Sequence, residues 1–225
     1  RGETGWTLVG TDSRGEIEAK LKVTWLWNDG AKKEELKYRF KSVIDRGTPL
    51  SFKPNFREKE KTIQTPYLDN RLGVWNALQV AETLENGAIV FSTYEEVGGG
   101  SVQFLGEFLQ KEFGVKQALI SDITLATKAI KPRDGVAISM RDKGIPRQIY
   151  LRKIIGLAEK NNIPFQLEVE DAGGSDGTVL QHSPGVWDWC FIGPPEENYH
   201  SPNEKVWKTD VKAMTDLYRI LMKEL

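Results

Sequence analysis

The chain has 225 residues, enough for one substantial core or for one domain with a smaller companion. Its 31 lysines and arginines nearly balance 32 aspartates and glutamates, which argues against nucleic acid or an anionic membrane as the main partner. No apolar run approaches the roughly 20 residues that span a bilayer. The single cysteine, Cys190, excludes an internal disulfide and a multi-cysteine zinc site, and we expect a reducing, cytoplasmic setting.

Residues 1–66 predict a small antiparallel β domain, or insert, at the N-terminal end. Short apolar or alternating segments are separated by turn signals such as Asp12-Ser-Arg-Gly15 and Asn28-Asp-Gly30. The predicted strands are Trp6–Val9, Glu16–Trp27, Tyr38–Ile44 and Pro49–Phe52. Trp25 and Trp27 alternate along one of these strands, which predicts core or subunit contacts.

Residues 67–225 alternate strand and helix patterns, which predicts a three-layer α/β/α domain with a mainly parallel mixed sheet. The predicted helices are Gly73–Glu85, Ser101–Phe113, Pro146–Lys160, Asp176–His182 and Thr209–Lys223, the last one capped by Thr209. The predicted strands are Ala88–Tyr94, Gln117–Ile120, Gly135–Ser139, Phe165–Val169 and Trp187–Ile192. In the last strand Trp187 and Trp189 are expected to make core or subunit contacts, and Cys190 is expected to be a buried small hydrophobe.

Two adjacent carboxylates, Glu95 and Glu96, end the segment Ala88–Tyr94, which is expected to be a short buried strand. Open α/β sheets bind their ligands outside the carboxyl ends of the strands, so this position favours a site. A solvated acidic turn is the alternative. The following glycines, 98–100, are expected to permit a tight turn and not to cradle a phosphate, because no Walker-type lysine follows them.

Further polar residues also lie beside the ends of predicted helices and strands. Asp69 stands just before the first helix, Asp122 follows the strand Gln117–Ile120, and His200 follows the strand Trp187–Ile192. Carboxylates that converge on one sheet edge repel each other unless cations neutralise them. Oxygen and imidazole ligands without thiolates suit zinc, cobalt or manganese, so the sequence indicates a metal site. The other histidine, His182, is expected to be a surface or capping residue.

Five ordered motifs carry a family resemblance: Leu68-Asp-Asn-Arg-Leu-Gly73, Tyr94-Glu-Glu-Val-Gly98, Ser121-Asp-Ile-Thr124, Gly173-Gly-Ser-Asp176 and Tyr199-His-Ser-Pro202. Together they resemble the co-catalytic metallo-aminopeptidases of the glutamyl and deblocking type, some of which carry an endoglucanase label. The resemblance extends from Asp45 to the C-terminus. It implies a peptide substrate, two divalent metal ions, most often zinc or cobalt, and assembly into a homo-oligomer.

The resemblance also implies roles for the site residues. Asp69 would bridge the two metals, Glu96 and His200 would complete one metal, and Asp122 would bind the other. Glu95 would be the general base that takes a proton from the attacking water and returns it to the leaving amine.

Four further residues match the motifs in supporting positions. Asn70 and Arg71 would orient the ligands and balance their charge. Ser175 and Asp176 match a motif near the substrate pocket, with capping of the next helix as the alternative.

One departure limits the resemblance. The family places a further metal-binding histidine upstream of the β insert, and neither histidine of this chain precedes Asp69. Either the chain is a fragment that lacks its N-terminal strands, which the start at Arg1 favours, or the protein has lost a ligand. In both cases the metal site that Asp122 would hold is short of a ligand, so full activity is not expected of this chain as given. The alternatives to a metal-dependent aminopeptidase are a non-catalytic binding or scaffold relative and a glycan hydrolase whose paired carboxylates need no metal.

Overall fold

The computed structural model of the chain describes residues 5–28, 31–171 and 173–225, with the side chains of residues 24–36 outside that description. In chain order the strands are β1 (Thr7–Asp12), β2 (Gly15–Asn28), β3 (Ala31–Phe40), β4 (Ser51–Phe52), β5 (Arg57–Glu58), β6 (Thr62–Gln64), β7 (Gln117–Ser121), β8 (Thr124–Leu125), β9 (Val136–Arg141), β10 (Phe165–Val169), β11 (Asp188–Gly193), β12 (Pro195–Glu196) and β13 (Lys205–Trp207). The helices are α1 (Leu68–Ala81), α2 (Val102–Phe113), α3 (Gln148–Lys160), α4 (Asp176–His182) and α5 (Lys208–Glu224), with a 3₁₀ turn at Glu95–Val97. The predictions for Trp25, Trp27 and the turn at 29–30 lie outside the described residues.

The N-terminal strands form an antiparallel sheet in the order β3-β2-β1-β4, as the turn-separated pattern predicted. Leu8, Ala19 and Leu21 are buried on one side of it. The predicted strand Tyr38–Ile44 is wrong at both ends, because β3 begins at Ala31 and stops at Phe40, the two limits of its pairing with β2. Val43 is exposed, so no burial compensates for extending the strand without a partner.

A second small sheet joins the segment before α1 to the segment before α5. It has the order β13-β6-β5, and both of its pairings are antiparallel. The Thr65 N–H donates to the Glu204 carbonyl at 3.0 Å, and the Lys208 N–H donates to the Lys61 carbonyl at 3.0 Å. The segment that leads into α1 is therefore fixed against the segment that leads into α5.

The central sheet is mixed and has the order β10-β9-β11-β7. The pairs β9/β10 and β7/β11 are parallel, whereas β9 and β11 run antiparallel. Val136, Ile138, Cys190 and Ile192 are fully buried in its two middle strands, so the expectation for Cys190 is confirmed. Strands that are buried on both faces have nearly continuous apolar sequences. Residues 136–138 of β9 and 189–192 of β11 are such apolar runs.

Helices cover both faces of this sheet and complete three layers. One face packs against α1, α3 and α5, and the other face packs against α2 and α4, with Trp187 and Trp189 between them. In α5 the apolar residues recur at helical spacing, and Met214 and Leu217 are fully buried; replacing such a residue with alanine costs about 2–5 kcal/mol. No helix among the described residues is both long enough and apolar enough to cross a bilayer.

The segment 88–94, predicted to be a buried strand, is not a strand in the structure. It runs without regular secondary structure, and Val90, Phe91 and Tyr94 are exposed. A strand persists only where neighbouring backbone satisfies its N–H and C=O groups. The nearest strand of the central sheet, β7, is hydrogen-bonded to β11 and to no second strand of the described chain, so residues 88–94 have no partner strand.

The ends of two helices also differ from the prediction. Helix α1 ends at Ala81 and not at Glu85, because the Thr83 N–H donates three residues back to Val80 and tightens the last turn. Thr209 does not cap α5: the pairing of β13 continues to Lys208, so the helix begins there and Thr209 falls inside its first turn. The other predicted helices and strands of residues 67–225 agree with the structure within two residues, whereas the short strands β8, β12 and β13 were not predicted.

Candidate metal centre

Three side chains from distant parts of the chain meet at one point. The Nε2 atom of His200 lies 3.0 Å from Oδ2 of Asp69 and 3.5 Å from Oε2 of Glu96. One ligand atom from each residue lies within 4.8 Å of the other two. Asp69 is largely buried, whereas about half of the His200 and Glu96 side chains is exposed, so the cluster has one side open to solvent.

The backbone around this cluster is held in an uncommon conformation. Tyr67 and Tyr94, at the starts of α1 and of the 3₁₀ turn, have φ values of 65° and 68°, and His200 itself has φ 51°. Residues other than glycine occupy this left-handed region at an energetic cost, and such residues concentrate at functional sites. Gly98 and Gly99, with φ 104° and 78°, turn the chain behind Glu96 as expected.

Asp69 is positioned through its own backbone. The Glu204 carboxylate accepts hydrogen bonds from the Leu68 N–H at 2.6 Å and from the Asp69 N–H at 3.3 Å. The backbone departs from helical dihedral angles at Asp69 and Asn70, so the regular part of α1 starts after Asp69, as predicted. These bonds direct the Asp69 carboxylate away from the helix and toward His200.

Asn70 joins the start of α1 to the end of β7. Its Nδ2 donates to the Ser121 carbonyl at 2.9 Å, and its Oδ1 accepts from the Gly73 N–H at 2.8 Å. Ser121 Oγ in turn donates to the Gly73 carbonyl at 3.0 Å. Because Asp122 follows Ser121 directly, this network fixes the distance between the Asp69 and Asp122 backbones.

Asp122 lies next to the three-residue cluster without joining it. Its side chain is buried, and Oδ1 accepts a hydrogen bond from the Ile123 N–H at 2.8 Å. Burial holds the pKa of Asp122 well above its ordinary value, and the charge of Asp69 raises it further. The structure therefore brings Asp122 within electrostatic range of Asp69, whereas its carboxylate is outside the group formed with His200.

Glu95 also stands beside the cluster. Burial raises its pKa to about 7, and the charges of Glu96, Asp176 and Asp69 raise it as well. Burial, followed by the charge of Glu96, raises the pKa of Asp69 to about 6. Two neighbouring glutamates thus differ in environment: Glu96 faces His200, and Glu95 is a partly desolvated carboxyl that can gain or lose a proton near neutral pH.

Four residues singled out from the sequence remain: Ser175, Asp176, Arg71 and His182. Ser175 Oγ accepts from the Gly177 N–H at 3.2 Å and so caps α4, whereas Asp176 lines the same cavity as Glu95 and accepts a hydrogen bond from Ser92. The Arg71 guanidinium stacks over the Tyr67 ring at 5.4 Å, and no ion pair of the described residues involves it. His182 is exposed, as expected, and lies outside the cluster.

Two glutamates at the site were missed by the sequence analysis. Glu204 supports Asp69, and Glu196 is fully buried beside the Glu204 carboxyl group. Burial raises the pKa of Glu196 to about 10, and the adjacent Glu204 carboxylate contributes to the shift. Glu204 lies four residues after His200, a spacing that could have drawn attention to it; Glu196 in Pro-Glu-Glu gives no such signal.

The donor set fits a divalent cation. In the part of the chain that the structure describes, the ion pairs of Asp69 and Glu96 are made with His200 and not with a lysine or an arginine. Carboxylates in such a cluster need a proton or a cation to offset their repulsion. Carboxylate oxygen with imidazole nitrogen is a ligand set for zinc, cobalt or manganese.

A family model described as M42 glutamyl aminopeptidase matches residues 14–217. This chain belongs to the M42 family. The M42 peptidases are metallopeptidases, in agreement with the cluster of Asp69, Glu96 and His200. The resemblance found in the five sequence motifs is thereby confirmed at the level of the family.

Relatives of this M42 chain are longer than it is. It is 28% identical over 168 residues to an Acetivibrio thermocellus protein with an aminopeptidase name, an alignment that covers 69% of this chain and 50% of that protein. The chain thus spans about half the length of this curated relative. An aminopeptidase from the archaeon Desulfurococcus kamchatkensis superposes with a TM-score of 0.83 and 21% identity over 98% of this chain and 69% of that one.

A third similar structure belongs to a protein that forms large assemblies. The Pyrococcus horikoshii TET1 peptidase, which can assemble into a tetrahedron or a large octahedral shell, matches with a TM-score of 0.77 and 22% identity. The match covers 98% of this M42 chain and 72% of that one. These structural likenesses establish the M42 fold for the chain.

Proposed function

We propose that this M42 protein is a metal-dependent aminopeptidase that removes N-terminal residues from peptides. The observation that carries the proposal is the approach of His200 Nε2 to Asp69 Oδ2 at 3.0 Å and to Glu96 Oε2 at 3.5 Å. Two carboxylates and one imidazole from three parts of the chain are preorganised there, beside a third acid, Glu95, that is not one of the three grouped residues. This combination is what a hydrolytic metal site requires.

We assign the ligands as follows. Asp69, Glu96 and His200 would hold one divalent ion, zinc or cobalt, and Asp69 together with Asp122 would hold a second. The electrostatic effect of Asp69 on the Asp122 carboxyl supports placing Asp122 on the second side of Asp69. Divalent ions in these positions would supply Lewis acidity to a water molecule and to the scissile carbonyl.

We assign Glu95 as the general base. A base works best when its pKa lies near the working pH, and the pKa of Glu95 is raised to about 7 by burial and by neighbouring acids. Glu95 takes the proton of the attacking water and delivers it to the amine that leaves. Its position next to Glu96 in the chain keeps it within reach of the cluster while Glu96 is occupied as a ligand.

The setting of the protein is part of the proposal. Peptides are the substrates, and the subunits form a homo-oligomer, for which the shells of the TET1 peptidase are the model. A reducing, cytoplasmic location is consistent with a single cysteine that is buried and free. Glu95 separates this proposal from a non-catalytic scaffold, because a protein without turnover has no need for a half-buried acid beside a metal cluster.

The test uses protein made from the complete reading frame. It is stripped with a chelator and assayed on a chromogenic amino-acid amide, before and after zinc or cobalt is restored. An aminopeptidase restores turnover with metal and does not act on the same amide when its amino group is acetylated. Activity on a glycoside that survives the chelator would instead identify a glycan hydrolase, and absence of any turnover with metal bound would identify a scaffold.

A further inference from the structure

A groove outside the candidate metal centre lies between helices α1 and α5, and we call it the α1–α5 groove. Its volume is about 420 Å³, within the range of about 300–1,000 Å³ that is common for small-molecule sites. Trp75 and Gln79 of α1 form one wall, and Val211, Thr215 and Arg219 of α5 form the other. No residue assigned above to a metal ion or to proton transfer lines the groove, so it is separate from the proposed catalytic residues.

The two helices run in the same direction along the groove. Leu72 and Val211 pack in one cluster near the starts of the helices, and Nη2 of Arg219 donates to the Gln79 carbonyl at 3.4 Å further along both. At about 1.5 Å per residue, α5 rises about 12 Å from Val211 to Arg219. The groove therefore separates the Arg219 guanidinium from Val211 by about the length of a small molecule.

The charged side chains of the groove leave one cation without an acidic partner. Lys208 pairs with Glu58, and Lys212 pairs with Asp216, so these four charges are balanced within the protein. Arg219 forms no ion pair with an acid in the part of the chain that the structure describes. The lining of the groove thus carries one uncompensated positive charge.

The Arg219 guanidinium also lacks hydrogen-bond acceptors. Its Nε atom is buried and has no acceptor among the described residues, and its Nη2 bond to Gln79 is long at 3.4 Å. Leaving a buried donor of a charged group unsatisfied is unfavourable. A guanidinium presents its N–H groups as a planar fork that matches the two oxygens of a carboxylate. Arg219 is therefore a preformed position for a carboxylate.

The rest of the groove is suited to an apolar group. The Trp75 side chain is 44% exposed, although it lies in a concave surface where burial is available. Val211 is buried and Ile63 is partly buried in the same apolar cluster beneath the groove. An aromatic ring beside aliphatic side chains, with one cation at a distance, is the usual composition of a site for an amphipathic small molecule.

We propose that the α1–α5 groove binds a small organic monocarboxylate with an apolar body. The carboxylate pairs with Arg219, and the body lies over Val211 against the Trp75 ring. The one uncompensated positive charge matches a single negative charge, whereas a phosphate monoester carries about −1.5 to −2 at neutral pH. The interval of about 12 Å between Val211 and Arg219 limits the length of the ligand.

Calorimetric titration with N-acetyl-leucine tests the proposal on protein from the complete reading frame. The blocked amine prevents this probe from binding as the free N-terminus of a peptide would, and N-acetyl-leucinamide is the matched neutral control. We expect a Kd of about 1 mM or tighter for the carboxylate, which its size allows, and binding at least about tenfold weaker for the amide. Absence of saturable binding of N-acetyl-leucine, or equal binding of the amide, would overturn the proposal.

Matched arginine variants locate the binding. Arg219→Gln should weaken binding of N-acetyl-leucine by at least about tenfold, because a hydrogen-bonded charge pair is lost. Arg152→Gln, which alters an exposed arginine of α3 outside the groove, should leave the Kd unchanged. Equal affinities for the parent and Arg219→Gln would overturn the proposal. Binding that His200→Ala abolishes and Arg219→Gln does not would also overturn it, because the probe would then occupy the candidate metal centre.

A second variant keeps the test decisive if Arg219→Gln fails to fold. Trp75→Ala truncates a half-exposed side chain and should weaken binding of the probe by at least about threefold, with thermal unfolding as the check on folding. Unchanged affinity in folded Trp75→Ala would overturn the proposal. A change of subunit association in Trp75→Ala without any binding of the probe to the parent would show that a second copy of the chain covers the groove instead. None of these outcomes depends on whether the protein is a peptidase.

Discussion

The Nε2 atom of His200 lies 3.0 Å from Oδ2 of Asp69, although 131 residues separate the two in the sequence. The contact depends on the pairing of β6 with β13, which fixes the chain before α1 against the chain after His200. Glu204 strengthens the link, because its side chain binds the backbone of Leu68 and Asp69 while its carbonyl binds Thr65. Secondary structure remote from the cavity therefore sets the geometry of the candidate metal centre.

The two histidines of the chain provide a matched test of the metal ligands. His200→Ala should weaken zinc or cobalt binding by at least about 10–100-fold. Mutating a residue that only hydrogen-bonds to a metal ligand has effects of that size, so losing a ligand itself should cost no less. His182→Ala should leave the affinity unchanged, since His182 is exposed and lies outside the cluster. Calorimetric titration of each variant measures the affinity. Equal affinities for the two variants would remove His200 from the site.

Glu204 should affect both stability and metal affinity. Glu204→Ala leaves the N–H groups of Leu68 and Asp69 without their acceptor, which should lower the free energy of unfolding by about 1–3 kcal/mol. It should also weaken metal binding, because Asp69 loses its support. Glu107→Ala, which removes a surface pair with Lys111, should change stability by less than about 0.5 kcal/mol. Urea unfolding and metal titration of both variants check this, and unaltered metal binding by Glu204→Ala would contradict the supporting role.

The metal-free protein should lose stability as pH rises through the pKa of Glu95. Its folded pKa is raised from 4.5 to about 7, so between these values the folded state binds more protons than the unfolded state. The stabilisation is fully present below about pH 4.5 and is lost as pH passes 7. Since Glu95 is partly exposed, solvent screening reduces the effect to about 1 kcal/mol.

The comparison with Glu95→Gln isolates this contribution. Urea unfolding in chelator at pH 5 and pH 8 should show the parent losing more stability than Glu95→Gln, which cannot ionise at that position. Asp69, with its pKa raised to about 6, contributes in the same direction in both proteins, so the excess loss in the parent reports Glu95 together with its repulsion from Asp69. A difference between parent and variant that is the same at both pH values would mean that Glu95 titrates normally.

The N-terminal sheet should take part in self-association. Strand β3 has ten residues and pairs with β2 alone in the described part of the chain, so it forms a long sheet edge. Natural proteins cover such edges or use them for pairing. Light scattering on protein from the complete reading frame at micromolar concentration should give a multiple of the subunit mass. A strictly monomeric mass across a dilution series would contradict this expectation.

The sequence predicted the candidate metal-binding residues better than it predicted the residues that hold them in place. Asp69, Glu96 and His200 stand beside turns and strand ends that sequence rules locate, and the structure brings them together. The strand at 88–94 was mispredicted because a local apolar pattern cannot report whether a neighbouring strand exists to pair with it. Glu196 and Glu204 were missed because their roles depend on contacts across more than a hundred residues, which no local pattern contains. The division of the chain at residue 66 stays a prediction.

The central claim is that two adjacent glutamates have different functions, Glu95 as base and Glu96 as ligand. The measurement is turnover on a chromogenic amino-acid amide together with elemental analysis, for Glu95→Gln and Glu96→Gln in protein from the complete reading frame. We predict two divalent ions per chain in the parent and in Glu95→Gln, with turnover of Glu95→Gln reduced by about 10²–10⁴-fold through loss of proton transfer. Glu96→Gln should lose metal as well as turnover. Turnover of Glu95→Gln within about threefold of the parent, or less than one ion per chain in the parent, would contradict the account.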